Sequence, residues 1–296
     1  MYKNLNSDLL GITGRQSEII ELALTYGFSG IDLDISDIVK RSERTSFESA
    51  ARFLISSKLR VGGFIAPIEL DSDDEAYAAS LAELEKTAEI AGQVKAAHAI
   101  ITIPSQTDRL PYPEYFEVVR KRIDEIAAVF AKHEVKTAIT FNPIKEEEKQ
   151  FPFIKDAQGF SVLANTCTQV GIVLDTWAWF VGSGTPEILD SIGVDRIQAV
   201  WAADCVAGVS AEAATLDDCT LPTTTEVVSL KPYLEKVVNL DIPVSARGSL
   251  SIIGGKRDAF IGKTQEALDK AFVEAGLPSE IRKPETFAEA GYASNS

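Results

Sequence analysis

The sequence predicts a single (β/α)8 barrel. Three observations lead there: strand-like and helix-like blocks alternate eight times along 296 residues; no composition break or linker divides them; and the turn after the first apolar run, ITGRQSE, lacks the GxGxxG spacing that a doubly wound dinucleotide-binding sheet usually carries. The barrel is expected over residues 1–277, with residues 278–296 a peripheral extension.

In chain order, residues 9–14 are a short apolar run ending in glycine and read as the first strand. SEIIELALTY, 17–26, has helical spacing, with Ser17 as cap and Gly27 as stop. GIDLDI, 30–35, alternates apolar and acidic residues as a strand does. A helical block over 37–59 precedes the third strand, RVGGFIAPI from Arg60. The next helix begins DSDD, acidic residues suited to the positive end of a helix dipole. The fourth strand is HAIITIPS from His98, followed by a strongly amphipathic helix over 115–134. KTAITFNPI from Lys136 is the fifth strand and 159–169 its helix. The sixth is VGIVLDTWAW, 170–179, followed by a short helix over 185–192 that has Pro186 at its first position. IQAVWAADC is the seventh strand and 226–239 its helix; PVSARGSL from Pro243 is the eighth, and 258–275 the last helix.

Composition narrows the function classes. A formal charge of −15 repels a phosphate backbone, so no nucleic-acid partner is expected. No apolar run reaches the ~18 residues of a membrane span, and the amino terminus does not read as a secretory signal, so a cytoplasmic protein is expected. Cys167, Cys205 and Cys219 are odd in number and lack CxxC spacing, which reads as three reduced thiols.

In a barrel the active face is the carboxyl end of the strands. That rule gathers Arg15, Asp34, Pro67, Ser105, Thr140, Asn142, Asp175, Trp177, Trp201, Asp204 and Arg247. Trp177, Trp179 and Trp201 are all the tryptophans of the chain and fall at two neighbouring strand ends, where indoles either stack on sugar rings or plug the mouth. His98 opens a strand, on the opposite face, and His133 ends a helix, so neither is expected to be catalytic. The charged run 144–150 reads as a solvated turn or part of a lid, and GGKRD, 254–258, as a surface turn with a weak phosphate-site signal.

The segments LLGITGRQSEIIELALTYGFSGIDLDI, VGIVLDTWAW and LPTTTEVVSLKPYLEKVVNLDIPVSAR resemble, in this order over roughly the first 275 residues, the xylose isomerase-like TIM-barrel superfamily of sugar isomerases and epimerases. The resemblance implies a catalytic divalent metal held by a Glu, an Asp, a His and a Glu ending the fifth to eighth strands, often with a further His after the Asp. By motif position these fall on Thr140, Asp175, Trp201, Arg247 and Ala178, of which only Asp175 keeps the family residue. The expectation is therefore no metal and no other cofactor, an Asp175–Arg247 pair in place of the cation, and a small carbohydrate-like ligand met by Asn142, Thr140, Trp177, Trp201, Asp204 and Arg15. Two other readings stay open: a metal-dependent isomerase or epimerase with displaced ligands such as Asp34, Asp175 and Asp204, and a non-catalytic barrel kept for binding or interaction.

Overall fold

A computed structural model describes residues 1–144 and 148–278. The extension over 279–296 and the centre of the charged run lie outside the described residues. Nine parallel segments form one sheet in the order Arg60–Val61, Gly30–Ile31, Tyr2–Leu5, Pro243–Ala246, Ile197–Ala202, Gly171–Asp175, Lys136–Phe141, His98–Ile103, Gly63–Ile65. The first and last of these are consecutive pieces of chain separated only by Gly62. The sheet therefore closes on its own third strand, one half of which pairs with Gly30–Ile31 and the other with His98–Ile100. The expected (β/α)8 barrel is present.

Local chemistry sets the element ends. The first strand is Tyr2–Leu5, not residues 9–14: residues 7–11 turn, with the backbone N–H groups of Leu10 and Ile12 donating to Ser7, while the Leu9 and Leu10 carbonyls accept from Gly248 and Leu250. The block over 37–59 is two helices, Ile35–Arg44 and Phe47–Ser57; Ser46 accepts from the Ser49 N–H and starts the second. The sixth strand stops at Asp175, because its carboxylate caps a new helix, Thr176–Val181, that carries Trp177 and Trp179. Among the described residues no helix is long and apolar enough to cross a membrane.

Two apolar layers result. The larger lies between strands and helices and includes Trp177 and Trp179, both buried. The smaller fills the barrel interior with Ile100, Ala138, Val173, Ala199 and Trp201, and Leu9 packs against it. Successive strand residues alternate faces, so Thr140 and Asp175, two residues beyond Ala138 and Val173, also face inward.

The interior beside the third strand is polar instead. Asn4 Nδ2 donates to Asp32 Oδ1 (2.8 Å) and Ser245 Oγ (2.9 Å), and Asn6 Nδ2 to Asp32 Oδ2 (2.7 Å). Glycine is required at Gly62 to make room: a Cβ there would stand 2.6 Å from Asn4 Oδ1 and 2.7 Å from Asp32 Oδ1. Gly62→Ala should thus cost ~1 to 3 kcal/mol by overpacking, measured by urea denaturation. A loss below ~0.5 kcal/mol would mean that the network yields freely.

Candidate active face

Asp175 is 1% exposed. Its Oδ1 accepts from the backbone N–H of Trp177 (3.0 Å) and Ala178 (3.2 Å), while Oδ2 accepts from Arg247 Nη1. The expected ion pair is present, with the Arg247 side chain 21% exposed. The ladder sets Asp175 opposite Trp201, and Trp201 opposite Ser245. Between the fifth and sixth strands Ile139 stands opposite Ile172, so counting on by three brings Asn142, not Thr140, level with Asp175. Asn142 Oδ1 accepts from the Ile144 N–H.

Charge at Asp175 is costly all the same. Burial pushes its carboxyl above the ordinary value, and Arg247 and the two N–H donors only partly pull it back. The guanidinium thus offsets a desolvation penalty that remains the larger effect.

Several expected ligand-binding residues have other duties. Trp177 lies on a helix behind the strands, 6.2 Å from the Phe180 ring, and is fully buried, so it presents no indole face at the mouth. Trp179 packs edge-on against Tyr233, again in the outer layer. Asp204 is fully buried and accepts from the N–H groups of Cys205, Thr225, Glu226 and Val228. Burial alone would raise its carboxyl, but these four donors bring it below the ordinary range, and they make it the anchor of the loop after the seventh strand. Trp201 does face the interior, 5% exposed, where its Nε1 and the Thr140 Oγ1 find no partner among the described residues. Thr176, which the sequence did not single out, ties the strand ends together: its hydroxyl meets the carbonyls of Trp201 and Ala203 and accepts from the Ala203 N–H.

A divalent cation does not fit this donor set. Asp175 supplies one carboxylate whose oxygens are already taken, with Ala178, Trp201 and Arg247 beside it, whereas such an ion needs several oxygen or nitrogen ligands. The displaced set fares no better. Asp34 caps the helix Ile35–Arg44 by accepting from the Asp37 N–H, Asp204 holds its loop, and among the described residues no three His, Cys, Asp or Glu side chains are grouped to hold a metal. His98 is buried on the opposite face, where burial lowers its pKa to about 4, and His133 pairs with Glu85.

A cavity on this face lies to the side, over the first two strands. It measures about 660 Å³ and is lined by Asp8, Arg15, Asp32, Asp34 and the loop from Ile12 to Gly14. Arg15, exposed and just ahead of the helix Gln16–Thr25, makes no ion pair with any described residue. Asp32, which the sequence reading passed over in favour of Asp34, is the acid that the interior network holds. Burial pushes its pKa up to about 6 against the hydrogen bonds from Asn4, Asn6 and the Gly63 N–H. The lysine end of the charged run is tied down rather than solvated, with Lys149 Nζ 2.7 Å from Asp71 Oδ2. Within GGKRD only 254–256 link two helices; Arg257 is the first residue of the helix Arg257–Glu274 and reaches Glu18.

The family model for the xylose isomerase-like TIM barrel matches residues 20–242. No curated protein matches the sequence. Among solved structures, a xylose isomerase domain protein from Alicyclobacillus acidocaldarius is similar at 17% identity, with 93% of this chain and 99% of that one covered and a TM-score of 0.80. The IOLI protein with a binding zinc atom is similar at 13% identity, with 93% and 99% covered and a TM-score of 0.79. D-Psicose 3-epimerase with D-tagatose from Clostridium cellulolyticum H10 shares 12% identity over 93% and 99%, at a TM-score of 0.69. At such identities the likeness is one of fold.

Two outcomes follow for pH. Because the folded Asp32 pKa lies above its unfolded value, the stability it contributes is present below the unfolded value and lost as pH rises through about 6. Asp32→Asn should therefore gain on wild type between pH 5 and pH 8 in parallel chemical denaturation, and a flat difference would remove Asp32 as the titrating group. Arg247→Glu sets two carboxylates face to face. It should cost ~3 kcal/mol or more at pH 8 and recover in part at pH 5, where one acid is neutral; a pH-independent loss below ~0.5 kcal/mol would make Arg247 an ordinary surface residue.

Proposed function

Since the chain belongs to the xylose isomerase-like TIM-barrel family, we propose that it binds a small polyhydroxylated ligand at the carboxyl-end face of the barrel, and does so without that family's divalent metal. The observation that carries this reading is the cavity over the first two strands, which pairs an unengaged guanidinium with a carboxyl poised near neutrality. Sugar hydroxyls are both donors and acceptors. A carboxyl that titrates near pH 6 can meet them in either role, and the five N–H donors of Arg15 suit vicinal oxygens or an acidic substituent. Of the residues singled out from sequence for ligand binding, Arg15 alone lines this cavity. The D-tagatose complex of a structural neighbour supports the ligand class, as a property of that protein.

A second reading, isomerase or epimerase chemistry, is favoured by one feature of the same cavity. Asp32 is a carboxyl able to take up and return a proton at working pH, which is the requirement for moving a proton between adjacent carbons of a sugar. Its two Asn donors hold the carboxylate in one orientation and supply hydrogen bonds to the ionised form.

The test is a thermal-shift and calorimetric panel of aldoses, ketoses and cyclic polyols, run in EDTA and again with manganese. At least one compound should stabilise the protein equally in both, by ~2.7 kcal/mol at a hundred times its Kd. Arg15→Ala and Asp32→Asn should lose the shift while remaining folded. Binding seen only with added metal, and abolished by Asp175→Asn, would overturn the metal-free reading; no binding by any of the panel would overturn the ligand class.

A further inference from the structure

We propose that Cys205 and Cys219 are the two halves of a reversible cross-strand disulfide on the active face. Asp204–Cys205 and Cys219–Thr220 are short antiparallel segments, in register with Cys205 opposite Cys219. The phase of the ladder is fixed by the Val206 N–H, which donates to the Asp218 carbonyl at 2.9 Å. That makes Val206 and Asp218 the hydrogen-bonded pair and puts the cysteines at the next, non-hydrogen-bonded position. There, facing residues have Cα atoms ~4.5 Å apart and side chains on one face of the ribbon. The separation falls within the ~4.4 to 6.8 Å that a disulfide spans.

The pair is held in place independently of any bond between the sulfurs. The Cys205 N–H donates to Asp204 Oδ1 (2.8 Å), and the same carboxylate grips Thr225, Glu226 and Val228. Thr225 Oγ1 donates to the Cys205 carbonyl. Cys167, by contrast, follows the helix Ala157–Thr166, so the partner of each cysteine is set by the ladder. A sequence without CxxC spacing gives no hint of this pairing.

The chemistry needs a small-molecule disulfide as oxidant. One thiolate attacks it and releases one thiol; the second thiolate attacks the resulting mixed disulfide and releases the other. Two protein S–H groups are oxidised and one disulfide is reduced to two thiols. Burial, which pushes the Cys219 thiol up to about 12, keeps the exchange slow near neutral pH. The bond would close residues 206–218 into a covalent loop beside the mouth: Leu221 N lies 3.1 Å from where a Cβ on Gly248 would be, one residue after Arg247.

The experiment equilibrates the full chain at about pH 8 in graded ratios of reduced and oxidised glutathione, starting both from reduced protein and from protein refolded under oxidising conditions. Free thiols are then alkylated, and intact mass and peptide maps are read. Both starts should converge on the same fraction of a species lacking two hydrogens, with one peptide joining Cys205 to Cys219 and Cys167 alkylated. The link should persist in Cys167→Ser and vanish in Cys205→Ser. Three alkylated thiols from both starts in the most oxidising buffer, a bridge to Cys167, or glutathione adducts in place of the link would each overturn the proposal; the wild-type map decides even if a variant fails to fold.

Discussion

The carboxylate of Asp175 is the constraint around which this face of the barrel is arranged. A strand that ends in a buried acid must meet its charge, and here three donors do so: two from the first turn of the helix that the acid itself begins, and one from a guanidinium across the mouth. The arrangement has consequences along the chain. Capping ends the sixth strand and turns Trp177 and Trp179 outward into the helix layer, while the guanidinium fills space on the interior side. Trp201 then lies between Asp175 and Ser245 in the ladder, and the centre of the mouth is closed by side chains.

With the centre closed, polarity moves to the side. Asn4, Asn6, Asp32 and Ser245 form a hydrogen-bonded group beside the apolar residues of the barrel interior, and Gly62 leaves the room that the group occupies. Buried polar networks are costly unless satisfied; the Asp32 carboxylate here accepts from Asn4 and Asn6, while Asn4 Oδ1 has no partner among the described residues. That it borders open space links the protonation of a single acid to whatever enters.

The barrel itself was legible in the alternation of blocks, and Asp175 with Arg247 in their positions at strand ends. The misreadings have specific causes. Tyr2–Leu5 is too short and too polar to outrank the apolar run after it, yet its inward Asn4 is polar because the interior there is polar. Trp177 and Trp179, two apart after an apolar run, fit a strand as well as a helix turn; the capping role of Asp175 decides between them, and that role depends on which way the carboxylate points. Asp204 resembled a mouth acid because three of the four N–H groups that hold its carboxylate come from a loop about twenty residues further on. In GIDLDI the two acids look equivalent. Only the donors from another strand separate Asp32, held inside, from the exposed Asp34.

The closure of the sheet on its broken third strand also divides the molecule mechanically. The seam at Gly30–Ile31 and Arg60–Val61 is a two-residue ladder, whereas His98–Ile103 pairs with Lys136–Phe141 over six. The hydrogen bonds Arg60 to Ser29, Gly62 to Ile31 and Leu33 to Gly63 extend this seam only a little, so amide exchange there should need smaller openings than at the six-residue wall. The polar cavity borders the thin wall. On the function proposed above, a ligand in that cavity would sit against the shorter ladder, and its binding would be read first as slowed exchange at the seam.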